Sequence, residues 1–537
     1  MQVRRIASYP AIALVGLVAA YLSHLLGLDA PARFLFATLV LIVSVAFALG
    51  TRLAPRTRSG RRDGGPTAHG LQAPSEPAQQ TRPDAQQGPA PRELRPPDPP
   101  APVAVPRLDD AYRTRSCATS LVCHHCDAQY PLHGETRQCE QCGKGLDVAY
   151  DYELAARLLR EIPSSERPYN LWHFEELLPI TESRAQAWVG WQSGYTPLIR
   201  AHRLGAELGL TNLYLKDDSS CRPSWSYKDR VVSTAVARLL EMGKSQIGCA
   251  STGNTGASLA ALAAKAGVHA YVFYPQRLES MKARECAALG ATVCQVDANY
   301  DELVRGCRAV AELADLEFAN ITLRPFYAEG AKTLAFETVQ QLGWTAPDHI
   351  VVPVAGGTLA SRTHKGLGEL QLLGLAETDS TRIHIAQPEG SNPIATAVLA
   401  EEAEVHPVRP ETAAHQLAIG APGEGYLVVD AVRARGGTAG VATDSEIFAG
   451  INLLAATEGI LTEPAGGTTI AVLEKLAAAG CFGPNDTVVA AITGNGLKTL
   501  DDHPSLPWPA KVPCEPGVMA QIIIDWDFGK ARMPVPG

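Results

Sequence analysis

Four short motifs carry side chains and turns that could together hold and transform one small molecule. Ser226-Tyr227-Lys228-Asp229-Arg230 opens a helical pattern and supplies a primary amine. The other three combine hydroxyls with glycines, and they are Ser251-Thr252-Gly253-Asn254-Thr255-Gly256, Ala355-Gly356-Gly357-Thr358 and Thr493-Gly494-Asn495-Gly496. Taken alone, each motif also fits an ordinary helix start, an N-cap or a turn that ends a strand.

The chemistry of the four motifs is complementary. The hydroxyls, glycines and backbone N–H groups of 251–256 suit a carboxylate at a helix start. The turn 355–358 lies between a strand pattern and a helix pattern, where backbone N–H groups and the helix dipole bind phosphate. Thr493 follows a strand and can present its hydroxyl to a bound ring. With the amine of Lys228 available for a Schiff base, the set predicts a site for pyridoxal phosphate and an amino acid.

Four cysteines form a second candidate site. Cys123 and Cys126 form one CxxC pair, Cys139 and Cys142 form another, and twelve residues separate the pairs. Four thiolates close a tetrahedral structural zinc site and leave no open position for catalysis. Replacement of one ligand by a nearby histidine is a less favoured alternative, and the candidates are His124, His125 and His133. Two disulfides are disfavoured in a reducing compartment, and a nucleic-acid ribbon would need basic, aromatic-rich flanks.

The elements that must position the four motifs alternate from residue 185 onward. The predicted strands include 213–216, 270–274, 291–297, 349–354, 382–387 and 487–494, and the predicted helices include 229–243, 256–267, 281–289, 301–314, 329–342 and 445–457. Such alternation over about 300 residues predicts an α/β fold with mainly parallel sheets. Ligands bind at the carboxyl ends of strands in these sheets, and the motifs lie at those ends.

The order of the motifs resembles the fold-type-II pyridoxal-phosphate enzymes, and within them threonine synthase. The resemblance rests on blocks such as SGYTPLIRAHRLGAELGLTNLYLKDD (193–218), PSWSYKDR (223–230), ASTGNTGASLAALAAKAG (250–267), EGILTEPAGGTT (458–469) and ITGNGLK (492–498). The cysteine quartet is similar to the zinc ribbon that begins many threonine synthases. The resemblance extends from Leu121 to Lys498 and implies two mainly parallel open sheets preceded by a zinc ribbon.

The resemblance also assigns roles to individual residues. Lys228 matches the lysine that forms the Schiff base and moves protons at Cα and Cβ. Asn254 matches the partner of the cofactor's ring oxygen, and Thr493 matches the partner of the pyridine nitrogen. The residues that match the substrate-carboxylate loop are Ser251, Thr252 and Thr255. Those in the cofactor-phosphate loop are Gly356, Gly357 and Thr358. The candidates that would bind the phosphate of the substrate are Arg324, Tyr327 and Lys332.

The implied reaction converts O-phosphohomoserine and water to threonine and phosphate. Departures from the family pattern leave a second reading open. Trp225 replaces a glycine close to Lys228, and Tyr327 stands where many members have an arginine. A related enzyme that performs β-replacement or elimination on another amino acid, such as O-phosphoserine in a cysteate-synthase-like reaction, is the alternative. A non-catalytic membrane-bound sensor or scaffold is less favoured, because a sensor need not keep both Lys228 and Asn254.

Two apolar segments precede the ribbon. Residues 11–28 and 34–50 each approach the ~17–25 residues that span a bilayer as a helix. Basic residues precede the first segment and follow the second, so both ends are expected in the cytoplasm. The sequence thus predicts a two-helix transmembrane hairpin over 1–52, anchored in the cytoplasmic membrane with the catalytic domain facing the cytoplasm. A cleaved signal peptide is disfavoured, because a second apolar run with a basic trailing edge follows.

The remaining organisation follows from composition. Residues 53–107 contain 13 prolines and are predicted to be a disordered tether. A zinc ribbon is predicted for 108–150, a catalytic domain of two α/β subdomains for 151–500, and a tail without assigned function for 501–537. Residues 1–107 carry 12 basic and 6 acidic side chains, a net charge of +6, which leaves −15 for the rest. The acidic body argues against nucleic acid as a partner, and the resemblance allows a homodimer.

Overall fold

The computed structural model describes residues 114–134, 136–181, 189–275, 280–504 and 512–527. Its strands are β1 (Ala118–Cys123), β2 (Gln129–Pro131), β3 (Leu146–Tyr150), β4 (Leu198–Arg200), β5 (Asn212–Asp217), β6 (Gln246–Ala250), β7 (His269–Pro275), β8 (Thr292–Val296), β9 (Glu317–Phe318), β10 (His349–Pro353), β11 (Arg382–Pro388), β12 (Ala439–Ala442) and β13 (Thr487–Ile492).

Helices separate most of these strands. They are α1 (Tyr152–Glu161), α2 (His202–Leu208), α3 (Lys228–Glu241), α4 (Asn254–Ala266), α5 (Ser280–Ala288), α6 (Tyr300–Leu313), α7 (Arg324–Glu329), α8 (Thr333–Gln341), α9 (Thr358–Leu372), α10 (Pro393–Leu399), α11 (Gly425–Ala434), α12 (Asp444–Glu458), α13 (Pro464–Ala478) and α14 (Pro516–Asp527).

The predicted mainly parallel sheets are confirmed. One sheet has the order β12-β11-β10-β13-β5-β4, and in it only β4 runs antiparallel to its neighbour. The second has the order β8-β7-β6-β9 and is parallel throughout. Parallel strands share one carboxyl edge, so the turns after β5, β10 and β13 lie at one edge of the first sheet, and the turn after β6 lies at the carboxyl edge of the second.

A small antiparallel sheet precedes these two. Its order is β2-β1-β3, and it carries the four cysteines on its turns and at the end of β1. Its apolar core is small and includes Leu121, Leu146 and Val148 from the strands. Phe326 from α7 completes that core, so the small sheet packs directly on the α/β body.

Local signals explain where several helices begin and end. Asn299 and Glu302 form a reciprocal capping box at α6, and Thr443 and Glu446 form one at α12. Such caps satisfy backbone N–H groups that a helix start leaves unpaired. The predicted helix over 329–342 is interrupted by a 3₁₀ turn at Gly330–Lys332, between α7 and α8. A Cβ atom at Gly330 would lie 2.2 Å from the carbonyl oxygen of Arg230, so only glycine allows this close packing on α3.

The prediction of a membrane-anchored localisation is wrong, because the described helices do not support it. In the described ranges no helix is both long and apolar enough to cross a membrane. The longest of them, α9, α12 and α13, have 15 residues. They span about 22 Å at ~1.5 Å per residue, less than the ~30 Å hydrocarbon core of a bilayer. The predicted hairpin segments 11–28 and 34–50, and the tether 53–107, lie outside the described residues.

Candidate active site

Lys228 begins α3, and a short antiparallel bridge holds it beside the end of β13. Ser226 pairs with Gly494 in that bridge. The N–H of Tyr227 donates to the carbonyl of Thr493 at 2.9 Å. These contacts bring together the lysine and the threonine that sequence motifs far apart in the chain predicted for one site.

The amine of Lys228 has a neutral hydrogen-bond partner. Its Nζ donates to the hydroxyl of Tyr227 at 2.7 Å and lies 4.4 Å from the centroid of that ring. Burial raises the pKa of Tyr227, so the phenol remains protonated at neutral pH. Burial also raises the pKa of Tyr327, and the nearby charge of Lys228 acts in the opposite direction. Two phenols therefore border the amine without neutralising its charge.

The next residue, Asp229, is a buried carboxyl at the start of α3. Its Oδ2 accepts a hydrogen bond from the N–H of Ser224 at 2.8 Å. Burial raises the pKa of Asp229 to about 6, against the opposing effect of hydrogen bonds from Ser258 and Ser224. Burial favours the neutral acid because it removes water from the charged form.

The predicted carboxylate loop follows β6 and opens α4. Ser251 Oγ accepts hydrogen bonds from the N–H groups of Gly253 at 2.9 Å and Gly256 at 2.8 Å. Gly253 has a φ of +131°, a conformation that disfavours other residues. Thr255 lies in the first turn of α4, and its side chain opposes the effect of burial on the pKa of Tyr327. The loop thus places hydroxyls and a helix N-terminus close to the residues around Lys228.

Two functional candidates that the sequence motifs missed border this loop. Glu463 Oε1 accepts a hydrogen bond from Asn254 Nδ2 at 2.6 Å. Lys282 is fully buried, and its Nζ lies 3.4 Å from Glu463 Oε2. A Cβ atom at Gly253 would lie 3.2 Å from Lys282 Nζ, so this ammonium lies against the carboxylate loop. The family block that contains Glu463 was a usable signal, but nothing in the helical pattern around Lys282 marked its burial.

The predicted phosphate loop joins β10 to α9. Gly357 has a φ of +98°, and a Cβ atom there would lie 2.5 Å from Val428 Cγ2. Conformation and packing therefore both require glycine at this position. Thr358 begins α9, so the backbone N–H groups of Gly356 and Gly357 lie at a helix N-terminus, where an anion is favoured.

Arg324 and Tyr327 lie together on α7. The guanidinium of Arg324 is 5.7 Å from the centroid of the buried Tyr327 ring. Arg324 donates to Glu424 Oε2 from Nε at 3.1 Å and from Nη2 at 2.5 Å. Although burial opposes it, Arg324 lowers the pKa of Glu424 to about 2. The predicted phosphate-binding arginine is thus held by an internal carboxylate.

Lys332 is not brought to the other predicted site residues. It is fully buried, and its Nζ lies 2.6 Å from Glu329 Oε2 and 2.9 Å from Glu369 Oε2. The same ammonium lies 4.0 Å from the centroid of Tyr150 on β3. Lys332 therefore joins the α/β body to the small sheet, and the structure gives its charge two carboxylate partners in place of a substrate.

The four predicted metal ligands converge. The sulfur atoms of Cys123, Cys126, Cys139 and Cys142 lie within 4.8 Å of one another. Cys123 Sγ is 3.5 Å from Cys142 Sγ, and Cys126 Sγ is 3.5 Å from Cys139 Sγ and 3.6 Å from Cys142 Sγ. Tetrahedral zinc with bonds of ~2.3 Å separates its sulfur ligands by about 3.8 Å. The donor set and spacing therefore fit a four-thiolate metal ion.

The residues at the carboxyl edge also fit pyridoxal phosphate. Asn254 Oδ1 is buried and, within the described part of the chain, has no hydrogen-bond partner. Such an atom costs free energy unless a ligand or water satisfies it. Thr493 is also buried, and it lies beside the lysine. The glycine loop at 356–357 lets the backbone approach a phosphate. An unsatisfied amide, a hydroxyl, an amine and an anion loop match the cofactor's functional groups.

Comparison with known proteins agrees with this geometry. Residues 192–494 match the family of pyridoxal-phosphate dependent enzymes. Threonine synthase of Methanocaldococcus jannaschii is 34% identical over 404 residues, which cover 75% of this chain and 98% of that protein. Threonine synthase of Methanosarcina acetivorans is 35% identical over 380 residues, which cover 70% of this chain and 92% of that protein.

A solved structure agrees at the level of the fold. Diaminopropionate ammonia lyase of Escherichia coli superposes with a TM-score of 0.51 over 66% of this chain and 91% of that chain. At 18% identity this likeness concerns the fold alone. The family match and the curated relatives establish that this chain is an enzyme of the pyridoxal-phosphate dependent family and a relative of the threonine synthases.

Proposed function

We propose that this enzyme is a threonine synthase, a lyase that converts O-phosphohomoserine and water to threonine and phosphate. The observation that carries this proposal is the presence of three anion positions around one amine. They are the loop 251–256 with Lys282 against it, the glycine loop 356–358, and Arg324 beside Tyr327. A carboxylate, a cofactor phosphate and a substrate phosphate together require three such positions.

The cofactor would be held by Lys228, Asn254, the loop 356–358 and Thr493. When bound, pyridoxal phosphate supplies an electron sink for carbanion chemistry at the amino acid. The hydroxyl of Thr493 is a neutral partner for a ring nitrogen, so it does not hold that nitrogen protonated as a carboxylate would. Asn254 is oriented for this role by its hydrogen bond to Glu463.

The chain's own groups would bind the substrate and move its protons. Ser251, Thr252 and Thr255 would bind the substrate carboxylate at the start of α4. Lys228 Nζ would carry protons between the substrate's Cα and Cβ, with the Tyr227 hydroxyl as its resting partner. Arg324 would bind the leaving phosphate, because a guanidinium stabilises the charge that develops there, and Lys282 would add positive charge beside the carboxylate loop. Burial of Tyr327 and Lys282 favours these interactions by excluding water.

Product formation by the full-length holoenzyme tests this proposal. We expect O-phosphohomoserine to yield phosphate and threonine in equal amounts. Lys228→Ala should lose at least ~10³-fold in turnover, since it removes both the amine and the proton carrier. The matched control is Lys265→Ala, which removes a lysine from the last turn of α4. Phosphate release without threonine, or equal turnover by Lys228→Ala, would reject the proposal.

One observation favours a second activity. Trp225 lies three residues before Lys228, has a φ of +61° and is 39% exposed. The Arg222 guanidinium lies 4.8 Å from its ring. This bulky pair near the amine could suit a shorter substrate such as O-phosphoserine and a β-replacement reaction. Turnover of O-phosphoserine with sulfite, in the absence of turnover of O-phosphohomoserine, would favour this alternative.

We also propose that the cysteine quartet binds one structural zinc ion within a ribbon over 108–150, before a catalytic domain over 151–500. Thiolates at tetrahedral spacing support this assignment. The full-length protein should contain about one zinc per chain, and Cys139→Ser should lose most of it. Cys481→Ser is a matched control outside the quartet. Equal zinc in wild type and Cys139→Ser would contradict the site. The homodimer stays a prediction.

A further inference from the structure

Glu424 occupies a position between the proposed substrate site and the cysteine ribbon. Its Oε2 accepts two hydrogen bonds from Arg324, at 3.1 and 2.5 Å. Its backbone carbonyl oxygen lies 3.9 Å from the position that a Cβ atom would take at Gly357 in the phosphate loop. The carboxylate therefore fills the anion-binding face of Arg324 from within the chain.

Two buried nitrogen atoms lie on the ribbon side of Glu424. A Cβ atom at Gly145 would lie 3.1 Å from Glu424 Oε1 and 3.5 Å from His124 Nε2. His124 Nε2 is buried and has no hydrogen-bond partner among the residues described here, and the same holds for Arg362 Nε. After burial and Arg324, the groups that act most strongly on the pKa of Glu424 are Arg362 and His124. Arg362 Nη1 and His124 Nδ1 lie 2.6 and 3.9 Å from oxygen atoms of Asp147, so the two groups lie together beside the ribbon.

Arg362 is held in place for such an exchange. Its Nη1 donates to Asp147 Oδ1 at 2.6 Å and to Glu329 Oε1 at 3.2 Å, which leaves Nε without a partner within the described ranges. A buried donor without a partner is unfavourable, so an arriving carboxylate would gain a hydrogen bond that the resting arrangement lacks.

We propose that Glu424 is a specificity-determining residue that occupies Arg324 in the resting enzyme and moves to Arg362 and His124 when the substrate's phosphate binds. The inference rests on the proposed function and deepens it. A phosphate monoester carries up to two negative charges and can form paired hydrogen bonds with a guanidinium, so it can displace a single carboxylate. A neutral leaving group, such as an acetyl ester or a hydroxyl, cannot. Glu424 thereby selects substrates with an anionic leaving group.

Binding of inorganic phosphate to the holoenzyme tests the exchange without requiring turnover. The bound cofactor fills the glycine loop, so added phosphate reports on the Arg324 position. Glu424→Gln removes the competing charge while it keeps the size of the side chain. We expect phosphate to bind about 5- to 10-fold more tightly to this variant, the effect of removing roughly one competing ion pair. Titration calorimetry of wild type and variant holoenzyme measures the change.

Three further proteins keep the test decisive. Glu446→Gln removes a carboxylate that pairs with Lys475 at 2.7 Å, and it should bind phosphate as the wild type does. Glu424→Asp, whose shorter side chain withdraws the charge from Arg324, should shift affinity in the same direction and serves if Glu424→Gln does not fold. Adding Arg324→Gln to Glu424→Gln should abolish the gain. Unchanged or weaker phosphate binding by a folded Glu424 variant would overturn the proposal, whether or not O-phosphohomoserine is turned over.

Discussion

Two regions of the enzyme differ in how their buried and partly buried charged groups are paired. The first, the reactive region, contains Lys228 and Asp229. The second, the ribbon junction, joins the small sheet to the α/β body, and its members are Asp147, Glu329, Lys332, Arg362, Lys365 and Glu369. In the junction each named cation contacts at least one carboxylate. In the reactive region the amine contacts a phenol, and the carboxyl accepts from a backbone N–H.

This difference separates structural charges from reactive ones. A buried cation with carboxylate partners is neutralised, and removing one partner leaves an uncompensated charge. A charged group whose contacts are neutral has no internal counter-ion to displace before it contacts a ligand. Lys228 at the start of α3 and Lys332 just before α8 show the contrast. Lys228 donates to a phenol hydroxyl, whereas Lys332 pairs with a carboxylate.

The largest effect on stability should come from breaking the junction. Lys332→Met removes the cation between Glu329 and Glu369, which are otherwise buried acids. We expect the free energy of unfolding to fall by roughly 3–5 kcal/mol, because the remaining carboxylates lose a buried partner. Urea titration of wild type and variant, followed by circular dichroism, measures this loss.

The same variant distinguishes the junction from a substrate site. KM for O-phosphohomoserine should stay within about twofold of wild type under conditions where the variant is folded, since the change lies outside the proposed anion positions. A large rise in KM with unchanged stability would return Lys332 to the substrate site that the sequence predicted for it.

The sequence did not indicate the ribbon junction, and the reason is physical. Lys228, the loop 251–256 and the glycines at 356–357 were predictable because each motif is local and begins a helix. One partner of Lys332, Glu369, lies 37 residues away, and Asn254 meets Glu463 across 209 residues. A single sequence carries no signal for such contacts.

The same limit applied to the fold. Six predicted strands correspond to β5, β7, β8, β10, β11 and β13, because their apolar runs are long enough to recognise. By contrast, β9 has two residues and β12 has four, and their place in the sheets depends on parallel neighbours far along the chain. The helix predicted to follow the turn at 355–358 corresponds to α9, which begins at Thr358.

The pairing of Asp229 gives a prediction with a defined pH window. Burial raises its pKa in the folded enzyme to about 6, from the model-peptide value of 3.8. The neutral acid therefore stabilises the fold fully below about pH 4, and this contribution is lost as the pH rises through about 6. Asp229→Asn cannot ionise, so its free energy of unfolding relative to wild type should rise by roughly 3 kcal/mol between pH 4 and pH 7.

Urea titrations of both proteins at intervals across that range would measure the difference. Working with the difference removes the contributions of other titrating groups that the two proteins share. A difference that does not change with pH would show that Asp229 ionises as readily in the folded enzyme as in the unfolded chain. Asp229 would then be grouped with the paired charges of the ribbon junction and not with the reactive region.

The smallest effect should come from a surface pair that matches a junction pair in distance. Lys475 Nζ lies 2.7 Å from Glu446 Oε2, with side chains 44% and 40% exposed, whereas the 2.6 Å pair of Lys332 and Glu329 is fully buried. Solvent screens an exposed pair, so Lys475→Met should cost less than ~1 kcal/mol by the same urea titration. If Lys475→Met and Lys332→Met destabilised the enzyme equally, burial would not be what makes the junction structural. The distance between the charged atoms would then account for both losses of stability. The contrast with Lys228 would rest on the chemical type of the group that Lys228 contacts.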